Sequence, residues 1–139
     1  MIKHRHTGLV VNDLNKQKQF YVKILGLKIY RKDKENKNIT LKLLNTKRSL
    51  QTVKLGDEEG VFLEILKYSP SKQCLDTKQI YSHGFSHIAF HVDDLDKIVA
   101  EMIKNDIGLL SKQIVKTDKH KVIICRDYEG NFIELVQTL

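Results

Sequence analysis

Disulfide chemistry has little to work with in this chain. It holds two cysteines, Cys74 and Cys125, which build no disulfide framework and suit a reducing compartment. A single proline, within a composition that is 41% hydrophobic and 29% charged, argues against general disorder. No apolar run approaches the length of a bilayer span. The opening "MIKHRHTG" has no apolar segment after its basic residues, so it does not read as a secretory signal. No block of five like charges occurs, although the net charge is +7. The basic residues form no stripe and no nucleic-acid motif is present, so neither nucleic acid nor a membrane is expected as a partner. The lysines fit a solvated surface or, failing that, an anionic small-molecule substrate. A soluble cytoplasmic protein is the expectation.

The 139 residues suffice for one domain built of two small halves around a shared core. "HRHTGLVVN" reads as a strand. Asn12 or Asp13 then caps a helix, "LNKQKQFYVKIL", in which Leu14, Phe20, Tyr21, Ile24 and Leu25 share a face and which Gly26 ends. "LKIYRK" and "ITLKLL" read as strands joined by the turn "DKENKN". "SLQTVKL" and "VFLEILKY" read as a hairpin across "GDEEG". The pattern is β-α-β-β-β with one strand-like segment to spare. After a linker over 69–82, "FSHIAFHV" is a strand. "DDLDKIVAEMIKND" is a helix capped by Asp93 or Asp94, lined by Ile98, Met102 and Ile103 and ended by Gly108. "GLLSKQIV", "KVIICRD" and "NFIELVQ" are strands, the last two joined by "YEGN".

The halves therefore repeat one plan, module one over 1–70 and module two over 83–139 of a single domain. The step from His6 to Asp13 equals that from His87 to Asp94. Each half closes on an apolar-Glu-apolar strand, "FLEIL" at Glu64 and "FIELV" at Glu134. Because strand faces alternate, Leu63 and Ile65 point toward the helix and Glu64 points away, with Phe62 and Leu66. Glu134 behaves likewise with Phe132 and Val136. His6 shares its face with Gly8 and Val10, and His87 with Ala89 and His91. Curling each sheet with its helix outside makes an α+β fold, a half-closed cup with His6, Glu64, His87 and Glu134 inside.

Alone, a strand His or Glu is usually an ordinary hydrogen-bonded or solvent-facing residue. Four at matched repeat positions on a mostly apolar surface cost several kcal/mol each unless satisfied. One divalent metal satisfies them: two neutral imidazoles and two carboxylates suit Zn, Ni, Co, Mn or Fe. His4 lies on the same face as His6, but its counterpart is Phe85, so His6 is favoured.

The segments "HTGLVVNDLNKQKQFYVKILGLKI", "FLEIL", "FSHIAFHVDDLDK" and "YEGNFIELV" resemble the vicinal oxygen chelate superfamily of glyoxalases, bleomycin-resistance proteins and dioxygenases, over nearly the whole chain. The resemblance implies two βαβββ modules around one metal, paired within a chain or across a homodimer. The set His6, Glu64, His87, Glu134 is most similar to bacterial glyoxalase I, the lactoylglutathione lyase. Methylmalonyl-CoA epimerase typically has Gln at the Glu64 position. Two departures bear on substrate. An Arg and an Asn that hold glutathione in bacterial glyoxalase I fall at Val10 and Tyr68 here. Asp127-Tyr128 stands where Asp-Pro is familiar.

What the resemblance implies is a metal-dependent lyase or isomerase acting on a small oxygen-chelating substrate through a metal-stabilised enediolate. Glu134 or Glu64 serves as the base. His91, Tyr68 and Arg126 are the expected substrate contacts. The alternatives are an acyl-thioester epimerase, a metal-dependent dioxygenase and a non-catalytic binding or resistance protein.

Overall fold

A computed structural model describes residues 1–72 and 78–139. The chain divides into two compact units, residues 1–74 and 75–139. In the first, β1 (Thr7–Val10) leads into α1 (Leu14–Gln19), which widens into a π-helical turn over Phe20–Ile24. β2 (Lys28–Glu35), α2 (Lys37–Leu44), β3 (Ser49–Asp57) and β4 (Gly60–Ser69) follow. The second holds β5 (His87–His91), α3 (Leu95–Lys104), β6 (Val115–Lys116), β7 (His120–Arg126) and β8 (Phe132–Thr138). Each unit carries a four-stranded mixed sheet, ordered β1-β4-β3-β2 and β5-β8-β7-β6. The orders are the same, as duplication requires. Cys74 and part of the expected 69–82 linker lie outside the described residues.

The caps settle two open choices. Asp13 accepts from the Lys16 backbone N–H and Asp94 from that of Lys97, each satisfying a helix donor left over in the first turn. Gly26 follows the first helix with φ 75°, a left-handed conformation open to glycine at little cost. α1 packs against β4 and α3 against β8. Phe20, Tyr21, Leu55, Leu63 and Ile65 are buried in the first unit; Leu95, Met102, Ile123, Ile133 and Leu135 are buried in the second.

Four sequence expectations are corrected. "ITLKLL" is a helix rather than a strand. Asn36 caps its start by accepting from the backbone N–H groups of Asn38 and Ile39, and Asn45 ends it at φ 52°. These caps outweigh an alternation that had no strand left to pair with. The supposed turn "DKENKN" accordingly lies partly within β2 and partly in the cap of α2. α3 stops at Lys104, where Asn105 caps it and Asp106 turns left-handed, so Gly108 does not terminate it; Ile103 is 61% exposed and the buried stripe runs through Leu95 and Met102. "GLLSKQIV" yields only β6, while Leu109 makes an isolated bridge to Cys125.

Candidate metal centre

The site is built by strand register. β1 runs parallel to β4 with Gly8 opposite Glu64, and β5 runs parallel to β8 with Ala89 opposite Glu134. Each His stands two residues before the small residue facing the Glu, on the same side of the sheet. In the first unit His6 Nε2 lies 3.0 Å from Glu64 Oε2. In the second, His87 Nε2 lies 3.4 Å from Glu134 Oε2. Leu63, Ile65, Ile133 and Leu135, the residues beside the two glutamates, are buried in their cores. The glutamates are therefore turned to the other face, as alternation predicts.

Among the described residues no three His, Cys, Asp or Glu side chains gather as a metal-holding group. The structure brings the candidate ligands together as two pairs, one within each unit. His4 stays exposed near Thr7, its Nε2 3.4 Å from Thr7 Oγ1.

The remaining expected contacts are placed as follows. His91 Nε2 sits 3.2 Å from Thr138 Oγ1, on the same face of β5 as His87. Arg126 is occupied locally: its Nη1 donates to the Gly130 carbonyl at 3.0 Å, and its guanidinium lies 4.1 Å above the centre of the Phe132 ring. Tyr68 lines a cavity of about 390 Å³ together with Val10, Asn12, Thr46, Arg48 and Lys72. Val10 and Tyr68 stand four residues beyond His6 and Glu64, so the cavity lies further along the same strands, and neither His6 nor Glu64 lines it.

Three basic residues were missed from sequence. Arg48 and Lys72 add positive charge to the cavity wall, and Arg48 donates to the Pro70 carbonyl. Lys54, directly across β3 from Glu64, places Nζ 3.8 Å from Glu64 Oε1. Only the register of β3 with β4 reveals the partner of Lys54.

Residues 3–135 match the family model described as the glyoxalase/bleomycin resistance protein/dioxygenase superfamily. The chain belongs to that superfamily. It is 32% identical over 135 residues to a probable lactoylglutathione lyase of Vibrio parahaemolyticus, covering 95% of this chain and 88% of the relative. A glyoxalase family protein from Bacillus cereus superposes with TM-score 0.88 at 17% identity, over 100% of this chain and 95% of that one. A fosfomycin resistance protein from Listeria monocytogenes, solved in complex with Mn(II) and sulfate, superposes with TM-score 0.64 at 17% identity, over 99% of this chain and 93% of that one. The α+β fold expected from the duplicated pattern, and its glyoxalase-like form implied by the resemblance, are thus the fold observed.

Proposed function

We propose that this superfamily member is a metal-dependent lyase or isomerase of the glyoxalase type, acting on a small, oxygen-chelating, anionic substrate. The observation that supports it is the recurrence of one His–Glu pair at equivalent register in both units, at 3.0 Å and 3.4 Å. His6, Glu64, His87 and Glu134 form the donor set, completed within one chain or across two copies. The chemistry of the set fits a divalent ion such as Zn, Ni, Co, Mn or Fe. Two imidazoles supply borderline nitrogen donors and two carboxylates balance the charge. Such an ion supplies Lewis acidity toward two neighbouring substrate oxygens.

The chain's own residues do the rest. One carboxylate of the set takes a proton from the carbon beside the chelated oxygens and returns it to the neighbouring carbon. Arg48 and Lys72 draw the anionic end of the substrate into the cavity that Tyr68 lines. Val10 offers no polar contact there, which favours a substrate other than the glutathione hemithioacetal.

Metal analysis joined to an activity assay tests this reading. The expected result is one bound divalent ion per donor set, lost on His87→Ala, together with metal-dependent exchange of a carbon-bound substrate proton. Wild-type protein that takes up no metal on soaking would overturn it in favour of a binding module. Iron with oxygen consumption on a catechol would overturn it in favour of a dioxygenase. A full metal site without turnover of methylglyoxal plus glutathione would discard glutathione and leave the isomerase reading standing.

A further inference from the structure

The two His–Glu pairs are alike in register but not in company. Opposite Glu64 on the antiparallel neighbour strand stands Lys54; opposite Glu134, at the equivalent place, stands Ile124. Directly opposed residues of an antiparallel pair have Cβ atoms about 5 Å apart, close enough for their side chains to meet. The Glu64 carboxylate is in fact shared, with Oε2 3.0 Å from His6 Nε2 and Oε1 3.8 Å from Lys54 Nζ. The Lys54 side chain is only 23% exposed, so solvent ions screen the pair less than they would on an open surface. The ion pair made by Glu134 is with His87, and Ile124 brings it no charge.

From this asymmetry we infer that Lys54 is a positioning residue that makes Glu64 the labile carboxylate of the donor set. The inference rests on the metal-dependent reading above. An ammonium and a divalent cation compete for the same carboxylate and repel each other. Glu64 has a counter-charge within its own sheet, so it would stay ionised and paired if a bound ion released it. Among the described residues no lysine or arginine pairs with Glu134, which would hold the ion as the anchor.

Calorimetric titration with Mn(II) alone tests this without recourse to activity. Lys54→Met is expected to tighten Mn(II) binding about five- to tenfold, the scale of a partly buried ion pair. Lys54→Arg keeps the charge and should bind as the wild type does. In a Glu64→Ala background the gain from Lys54→Met should shrink to about twofold or less, as a double-mutant cycle requires of a coupled pair. Glu64→Ala should cost less affinity than Glu134→Ala. Unchanged affinity in a metal-binding Lys54→Met protein, or an equal gain in both backgrounds, would overturn the inference alone. A wild type that binds no Mn(II) would remove it together with the metal reading. Should Lys54→Met not fold, Lys54→Gln serves with the same expected direction.

Discussion

Two buried side chains outside the candidate site carry clear consequences of their own. Cys125 is buried and free, and burial, assisted by the Asp127 carboxylate, pushes its thiol from the ordinary 9.0 up to about 12. A thiol with so little thiolate is a poor nucleophile, so in a Cys74→Ser protein alkylation should be slow in the native state and fast in denaturant. Folding keeps the proton that the unfolded thiol gives up. This contribution to stability is whole below about pH 9 and falls away as pH rises toward about 12. Denaturant midpoints of wild type and Cys125→Ala should therefore converge between about pH 8 and pH 11. Gln17 is fully buried in α1, and neither its Oε1 nor its Nε2 finds a partner among the described residues. In the same register of the second helix stands Ile98. Gln17→Leu should raise stability by about 1 kcal/mol, the cost of an unmade buried hydrogen bond, read from the urea midpoint.

Among the elements, the hairpin of β3 and β4 sets where Glu64 and Lys54 face, and at Gly56 it leaves no room for a side chain. A Cβ on Gly56 would lie 1.8 Å from the Gly60 carbonyl oxygen, at a register shift between Leu55 and Gly56. Gly26 meets nothing within 4 Å and carries only the left-handed strain of φ 75°. Gly26→Ala should thus cost about 1 kcal/mol. Gly56→Ala should cost more than about 2 kcal/mol, because backbone must move and the hairpin register is disturbed with it. Thermal melts rank the two, and equal losses would mean that the hairpin end relaxes freely. Elements whose pattern carried both a period and a cap, such as α1 and α3, were legible in the sequence. So was the facing of Glu64 and Glu134, since period-two alternation places each off the core, whereas their pairing with the His of the same unit came only from the structure. α2 was not legible, because Ile-Thr-Leu-Lys alternates like a strand and the deciding information sat in Asn36 and Asn45 outside it. Lys54 was not legible as a partner because pairing across a hairpin depends on a one-residue shift that composition does not reveal.

For the molecule as a whole, a metal bound only by the folded chain adds to its stability by mass action. At free metal a hundredfold above its dissociation constant the gain is about 2.7 kcal/mol. Removing metal with a chelator should lower Tm by several degrees, and restoring one equivalent of Zn(II) or Mn(II) should recover it. The same chelator should leave a His6→Ala, His87→Ala protein unmoved. A shift of equal size in that double variant would place the metal elsewhere. Part of the basic charge lies on β2. β2 closes one side of the first sheet and exposes Lys28, Arg31, Lys32 and Lys34, whereas β6, at the corresponding margin of the second, is two residues long. A strand that ends a sheet is an invitation to further strands from other molecules, and a row of like charges withdraws it. Fibril growth across β2 would stack these cations on one another. The cations of β2 that are unpaired among the described residues, Lys32 and Lys34, are thus expected to disfavour polymerisation through this edge.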